Sequence, residues 1–206
     1  MLSKTEDLFT AIVDQLLDQR WAVMPNFVNQ EMVRGLQRDA LVRQQRGDLH
    51  SATVGRDKAR LPQPTLRGDA ICWLDSDNAL PAELEYLALL ESLRLTLNRA
   101  LFLGLDHLEL HTACYPEGSI GYQKHLDRFV GSDERLLTAI LYLNDNWQAA
   151  DGGALRLYTE RGEVDLYPEA GLFACFITEG MWHAVLPTKR SRTALTGWFR
   201  RHQLPL

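Results

Sequence analysis

Cysteine, positive charge and long apolar runs are scarce in this sequence, and each scarcity excludes a class of protein. Three cysteines stand at positions 72, 114 and 175. An odd number at wide spacing argues against a disulfide framework and is typical of buried thiols in a reducing cytosol. The 22 Lys and Arg residues are outnumbered by 27 Asp and Glu, which argues against binding to nucleic-acid phosphates. No apolar run approaches the roughly 20 residues of a membrane span.

The start of the chain and its overall composition predict a cytoplasmic protein of one domain. The first residues, Met1 to Asp7, are polar and acidic, unlike a signal peptide. The chain has 206 residues, of which 46% are hydrophobic, and it contains no internal repeats or low-complexity tracts. We therefore expect a single domain over residues 1–206, with no membrane or nucleic-acid partner.

The first half, residues 1–104, is predicted to be helical support with a strand or two. Apolar residues at helical spacing predict three helices: residues 4–19, a helix capped by Asn29, and one from Pro81 to about Phe102, with Gly104 suited to its end. Trp21 to Met24 reads as a short strand. Residues 47–69 lack clear periodicity, so they form either a disordered surface excursion or a lid over a binding site. We favour a substrate lid, anchored by an ion pair between Arg67 and Asp69.

The second half, residues 105–206, reads as about eight short strands joined by tight turns. Strands of this length, with helices only at the front of the chain, predict a protein that is mainly β with α support. The expected fold is a double-stranded β-helix, a jelly-roll or cupin-like barrel, flanked by N-terminal helices.

Three side chains in this half have the types and spacing of a metal site. His125 and Asp127 are two residues apart on a predicted strand, so both project to one face. With His183 from a neighbouring strand they would form a facial triad around Fe(II), which leaves three of the six coordination positions open for a chelating 2-oxoacid and O2. The alternative is that each is an ordinary core residue, because a lone His on an apolar strand is more often satisfied within the core than bound to a metal.

Arg192 follows His183 and is suited to grip the far carboxylate of such an acid in bidentate fashion. On the last predicted strand, Arg192, Thr196 and Trp198 alternate with residues of the opposite face. We expect this set to face the pocket. The alternative, in which the set faces solvent, would expose Trp198 and bury Thr193 and Leu195.

The sequence resembles the Fe(II)/2-oxoglutarate-dependent oxygenases, specifically the hypoxia-type prolyl hydroxylases and their bacterial relatives, from about Trp21 onward. The residues that carry the resemblance are Arg67-Gly68-Asp69 with Trp73, Cys114-Tyr115-Pro116, Gly121-Tyr122-x-x-His125-x-Asp127, Tyr142-Leu143-Asn144, Gly152-Gly153-x-Leu155-Arg156, and His183-x-Val185-x-Pro187 with Arg192. The turn before Gly152 is one residue shorter than the family pattern.

This resemblance implies a role for each of these positions. It implies that His125, Asp127 and His183 bind the iron, with no catalytic residue beyond these ligands. It also implies that Arg192 and Tyr142 hold the distal carboxylate of 2-oxoglutarate. Arg67 and Asp69 are implied to belong to the substrate loop. The residues implied to line the cosubstrate pocket are Tyr115, Ile140, Leu155, Thr196 and Trp198.

The implied activity is hydroxylation of a prolyl residue in a protein, with release of succinate and CO2, within a single oxygenase domain. The implied cofactors are Fe(II), 2-oxoglutarate and O2, with ascorbate as a further candidate. By family analogy, elongation factor Tu is a candidate substrate. Halogenating relatives lack the carboxylate ligand, so Asp127 favours hydroxylation. Two alternatives stay open: an oxygenase acting on a free amino acid or small molecule, and a non-catalytic barrel that senses 2-oxoglutarate or oxygen.

Overall fold

The computed structural model describes residues 4–54, 61–62, 65–128 and 135–201. Its helices are α1 (Lys4–Gln19), α2 (Gln30–Arg46) and α3 (Pro81–Leu101). Its strands are β1 (Trp21–Met24), β2 (His50–Ser51), β3 (Thr53–Val54), β4 (Leu61–Pro62), β5 (Ala70–Leu74), β6 (His107–Tyr115), β7 (Tyr122–His125), β8 (Arg135–Tyr142), β9 (Leu155–Thr159), β10 (Gly162–Leu166), β11 (Phe173–Ile177), β12 (Trp182–Val185) and β13 (Arg192–Arg200).

The strands form a large sheet and a smaller one that together make the barrel. The seven-stranded sheet has the order β1-β11-β8-β13-β6-β5-β2, and the four-stranded sheet has the order β10-β9-β12-β7. Neighbouring strands in both are antiparallel. The predicted fold class is confirmed: a mainly β jelly roll flanked by N-terminal helices.

The large sheet is covered by helices on one face and borders a cavity on the other. Along β8, Leu137 and Leu141 belong to the core that includes the helices, whereas Ile140 and Tyr142 pack in a second cluster on the opposite face. Side chains of a strand alternate between faces, so one strand serves both the helical core and the cavity. Leu90, Leu93 and Leu97 of α3, which are fully buried, supply much of the helical layer.

The start of α2 and both ends of α3 agree with the sequence prediction, and the residue that caps the end of α3 does not. The Asn29 side chain accepts a hydrogen bond from the Met32 backbone N–H at 2.8 Å, as expected of an N-cap. Helix α3 begins at Pro81 and ends at Leu101, beside the predicted end at about Phe102. The residue that takes the left-handed conformation at this end is Phe102, with φ of 53°. Sequence reasoning assigned the capping position to Gly104, because glycine adopts that conformation without steric cost.

The segment over residues 47–69 contains short strands rather than an unstructured loop. Strand β2 pairs with β5, and β3 pairs with β4. Pairs of this length carry too little periodicity to be read from sequence. The tip of the predicted lid, residues 55–60 and 63–64, lies outside the described residues. The predicted ion pair is present: Arg67 donates two hydrogen bonds to Asp69, at 2.7 and 2.5 Å.

None of the described helices is long and apolar enough to cross a membrane.

Candidate metal centre

The two sheets bring His125, Asp127 and His183 together. His125 is the last residue of β7 and pairs directly with His183 on β12, while Asp127 follows β7 by two residues. Asp127 Oδ1 lies 3.6 Å from His125 Nε2, and Asp127 Oδ2 lies 3.4 Å from His183 Nε2. One ligand atom from each residue falls within 4.8 Å of the others. Two imidazoles and a carboxylate at this separation fit a divalent transition metal such as Fe(II).

Backbone carbonyls fix the orientation of both imidazoles. His125 Nδ1 lies 2.7 Å from the Gln123 carbonyl oxygen, and His183 Nδ1 lies 3.1 Å from the Met181 carbonyl oxygen. A carbonyl oxygen only accepts hydrogen bonds, so each Nδ1 carries the proton and donates it. Each neutral ring therefore presents the lone pair of Nε2 toward Asp127, which is the tautomer that a metal ligand requires.

The electrostatics of the triad favour a charged carboxylate. Burial opposes the charge on Asp127, but in the protonated state of the rings the charge of His183 and hydrogen bonds from His125 and His183 outweigh it and hold the pKa of the carboxyl well below its usual value. Burial lowers the pKa of His125. Burial would also lower the pKa of His183, but the charge of Asp127 outweighs it and raises that pKa. At neutral pH the centre therefore offers one anionic oxygen ligand beside the imidazole nitrogens.

Two side chains that sequence reasoning did not assign support the triad. The Thr138 hydroxyl on β8 donates a hydrogen bond to Asp127 Oδ2 at 2.7 Å. The Tyr122 ring stacks on the His125 ring with their centroids 3.6 Å apart, and the guanidinium carbon of Arg67 lies 4.6 Å from the Tyr122 ring centroid. A single threonine in an apolar strand gives no periodic signal. Tyr122 was visible only as part of the motif around His125.

Arg192 lies in the same cavity as the triad, at the start of β13. It is 2% exposed, and its Nε donates a hydrogen bond to the Gly153 carbonyl oxygen at 2.8 Å. Its guanidinium carbon lies 5.1 Å from the Tyr115 ring centroid and 5.0 Å from that of Tyr142. A buried cation flanked by two phenol rings suits the carboxylate of a diacid.

The pocket residues named from the sequence occupy one cavity. The cavity is lined by all five predicted pocket residues and by Arg67, Asp69, Arg192 and the triad. The alternative in which Arg192, Thr196 and Trp198 face solvent is wrong, because Trp198 is 8% and Arg192 is 2% exposed. Tyr142 is buried beside Arg192, and its hydroxyl has no hydrogen-bond partner within the described ranges. Burial raises the pKa of Tyr142 to about 12, so the hydroxyl keeps its proton and can donate to an anion.

The wall of the cavity nearest β5 contains an aromatic cluster that sequence reasoning missed in part. His111 on β6 lies between Trp73 and Trp198, with ring centroids 5.0 and 5.2 Å away. The guanidinium carbon of Arg135 lies 3.7 Å from the Trp198 ring centroid. His111 and Arg135 carry no motif that would single them out, because their positions depend on which strands pair.

Comparison with known proteins agrees with this geometry. Residues 110–200 match the model of the 2OG-Fe(II) oxygenase superfamily. A solved structure of a Pseudomonas putida prolyl-4-hydroxylase is 41% identical, with a TM-score of 0.86, and the similarity covers 95% of this chain and 100% of that chain. The chain belongs to the 2OG-Fe(II) oxygenase superfamily, in its prolyl hydroxylase branch. The resemblance read from the sequence is confirmed, and with it the family's cofactor set of Fe(II), 2-oxoglutarate and O2.

Animal relatives extend the similarity. A Trichoplax adhaerens prolyl hydroxylase, solved with a peptide fragment of a hypoxia-inducible factor, is 28% identical with a TM-score of 0.87, over 96% of this chain and 90% of that chain. Mouse prolyl hydroxylase EGLN3 is 31% identical over 74% of this chain and 66% of its own length. The Caenorhabditis elegans hypoxia-inducible factor prolyl hydroxylase is 28% identical over 91% of this chain, which spans only 27% of that relative.

Proposed function

We propose that this protein is a cytoplasmic Fe(II)- and 2-oxoglutarate-dependent dioxygenase that hydroxylates a prolyl residue of another protein. The observation that carries the proposal is the position of Arg192 in the same cavity as His125, Asp127 and His183. A metal site alone would fit many proteins, but a buried guanidinium beside it suits a diacid cosubstrate. We propose that residues 1–206 form one oxygenase domain, with the jelly-roll core over residues 105–206.

Each part of the site has a defined task in this reaction. His125, Asp127 and His183 would hold the iron through two neutral imidazoles and one carboxylate. Arg192 would bind the distal carboxylate of 2-oxoglutarate, and the protonated hydroxyl of Tyr142 would donate to the same group. When bound, Fe(II), 2-oxoglutarate and O2 supply the oxidative decarboxylation that yields succinate and CO2 and oxygenates the substrate. The apolar side chains of Ile140 and Leu155 exclude water from the cosubstrate.

The substrate side of the cavity favours a polypeptide over a small molecule. Thr53 of β3, Arg67 and Trp73 of β5 line the cavity, and Trp73 is 43% exposed. Thr53 and Arg67 belong to the predicted lid over residues 47–69 and Trp73 follows it, so a peptide in this part of the cavity would contact the lid as well. We propose a protein bearing the target proline as the partner, and elongation factor Tu remains a candidate by family analogy.

The proposal is tested by incubating the Fe(II)-loaded protein with 2-oxoglutarate and O2 in a cell lysate and searching for oxygenated peptides by mass spectrometry. We expect prolyl peptides that gain one oxygen atom with the native protein and not with His183→Ala. Oxygenation of free amino acids alone would favour the small-molecule alternative. Succinate release without any oxygenated product would favour the sensing alternative.

A further inference from the structure

The hydroxyl of Thr138 is a buried polar group on a strand face that also carries Ile140 and Tyr142. Thr138 lies on β8, where Ile140 and Tyr142 share its face, and it is 1% exposed. A buried hydroxyl costs free energy unless it forms a hydrogen bond. The Thr138 hydroxyl donates such a bond to Asp127 Oδ2, at 2.7 Å. The contact joins a carboxylate that follows β7 of the small sheet to a central strand of the large sheet.

The direction of this hydrogen bond follows from the two groups that it joins. The Thr138 hydroxyl carries a proton, and a carboxylate, the form in which an aspartate binds a metal, only accepts hydrogen bonds. Thr138 therefore donates, and the bond is charge-assisted. It engages Oδ2, which also lies 3.4 Å from His183 Nε2, and leaves Oδ1, which lies 3.6 Å from His125 Nε2, outside the contact with Thr138.

We propose that Thr138 is a positioning residue that keeps Asp127 a monodentate metal ligand through Oδ1. This inference rests on the proposed function, because it concerns how the iron site accepts 2-oxoglutarate. A carboxylate can bind a metal through one oxygen or through both. By engaging a lone pair of Oδ2, Thr138 would disfavour the second mode, so that the triad would occupy three coordination positions. The remaining positions would then stay available to the two chelating oxygens of 2-oxoglutarate and to O2.

The experiment is an anaerobic titration of the Fe(II)-loaded protein with 2-oxoglutarate, followed by the metal-to-ligand charge-transfer band. Thr138→Val removes the hydroxyl and keeps the shape of the side chain. We expect Thr138→Val to bind 2-oxoglutarate at least about tenfold more weakly and with a shifted or weakened band, since partners of metal ligands alter metal sites by roughly 10–100-fold. Thr138→Ser keeps the donor and should stay within about twofold of the native affinity.

Thr178→Val is the matched control for the loss of a buried threonine hydroxyl. Thr178 is also 1% exposed, and its hydroxyl donates to the Arg135 carbonyl oxygen at 2.6 Å. A role in folding alone would lower the thermal stability of both valine variants and leave the band of both unchanged.

If Thr138→Val binds 2-oxoglutarate with native affinity and shows the native charge-transfer band, the inference is overturned. It is also overturned if Thr138→Ser lacks the native affinity and band. If the Thr138→Val protein does not fold, Thr138→Ala and Thr138→Ser are compared in the same titration. Absence of the band in the native protein would instead contradict the proposed function, so the two failures are distinguishable.

Discussion

At the scale of single residues, His111 is a buried polar group that the proposed chemistry does not use. The side chain is 2% exposed, and its Nδ1 has no hydrogen-bond partner in the described part of the chain. Burial lowers the pKa of His111 to about 3. The imidazole is therefore neutral at physiological pH, and a buried nitrogen without a partner costs roughly 1–3 kcal/mol.

This shift predicts how stability depends on pH. The pKa of His111 is lower in the folded state than the usual 6.5, so between about pH 6.5 and 3 the unfolded state binds the proton and stability falls as pH falls. Near pH 5 the loss from this group is about 2 kcal/mol relative to neutral pH.

Replacing His111 by leucine removes the titrating group, so thermal melts of His111→Leu should lose less stability than the native protein between pH 7 and 5. Other groups that titrate in this pH range contribute equally to the stability of both proteins, so their effect cancels in the comparison. If the melting temperatures of the two proteins changed equally between pH 7 and 5, the result would contradict the assigned pKa.

Arg192→Lys tests the cosubstrate anchor. Lysine keeps the positive charge but loses the planar, bidentate guanidinium. We expect affinity for 2-oxoglutarate to fall about 10–100-fold, which corresponds to the loss of a charge-assisted hydrogen bond. Affinity for Fe(II) should stay unchanged. Isothermal titration with each ligand separates the two, and an unchanged affinity for 2-oxoglutarate would refute the role.

Sequence reasoning named the residues with distinctive chemistry and missed those defined by strand pairing. His125 and Asp127 are recognisable because alternation along one strand brings both to one face. Thr138 and His111 depend on contacts across the barrel, and a threonine or histidine on an apolar strand has an ordinary appearance.

At the scale of elements, the approach to β7 depends on Gly121. Its φ of 79° lies in the left-handed region, and a Cβ atom there would meet the Val185 carbonyl oxygen at 2.1 Å. Gly121 also precedes the strand that ends at His125, while Val185 belongs to the strand that carries His183. The glycine therefore permits the close approach of the two strands that hold the imidazoles.

Gly121→Ala should destabilise the protein by roughly 3 kcal/mol or more, because the clash is with backbone that has little freedom to shift. Gly118→Ala is the matched control: its φ is 74°, but no atom lies within 4 Å of the added Cβ, so only the conformational cost of about 1–2 kcal/mol applies. Chemical denaturation measures both. Equal losses of unfolding free energy in Gly121→Ala and Gly118→Ala would show that the clash with the Val185 carbonyl does not add to the destabilisation.

Element boundaries were predictable where a specific residue marks them. Asn29 and Pro81 mark helix starts through their hydrogen-bonding and conformational properties. The residue that caps the end of α3 was not predictable, because Phe102 is an unfavourable residue for the left-handed conformation. The strands within residues 47–69 are too short for alternation to identify them.

At the scale of the whole molecule, the metal would bind residues on and beside two strands of the small sheet. One of these residues, Asp127, accepts a hydrogen bond from Thr138 of the large sheet, so the site links the two sheets. Binding should therefore stabilise the fold as a unit. With metal at 100 times its dissociation constant, the expected gain is about 2.7 kcal/mol, or roughly 5–10 °C for a domain of this size.

Calorimetry under anaerobic conditions with and without Fe(II) measures this shift, and a chelator should reverse it. Asp127→Ala should abolish most of the gain. A shift of equal size in Asp127→Ala would place the stabilising metal elsewhere.

The whole architecture followed from the sequence more readily than its details, because it depends on coarse patterns. Strands separated by glycine-rich turns after a helical first half indicate a jelly roll without any knowledge of pairing. The strand order depends on long-range pairs, such as β1 with β11, that no local pattern encodes.

The alternation of β13 limits which length changes the gene can tolerate. Arg192, Thr196 and Trp198 line the cavity, while Leu195 and Phe199 pack in the helical core. Deletion of one codon within this strand would exchange the two sets and move a guanidinium or hydroxyl into hydrocarbon surroundings. Among homologous proteins, insertions and deletions should therefore occur in the turn at residues 187–191, and the number of residues from Arg192 to Arg200 should stay constant.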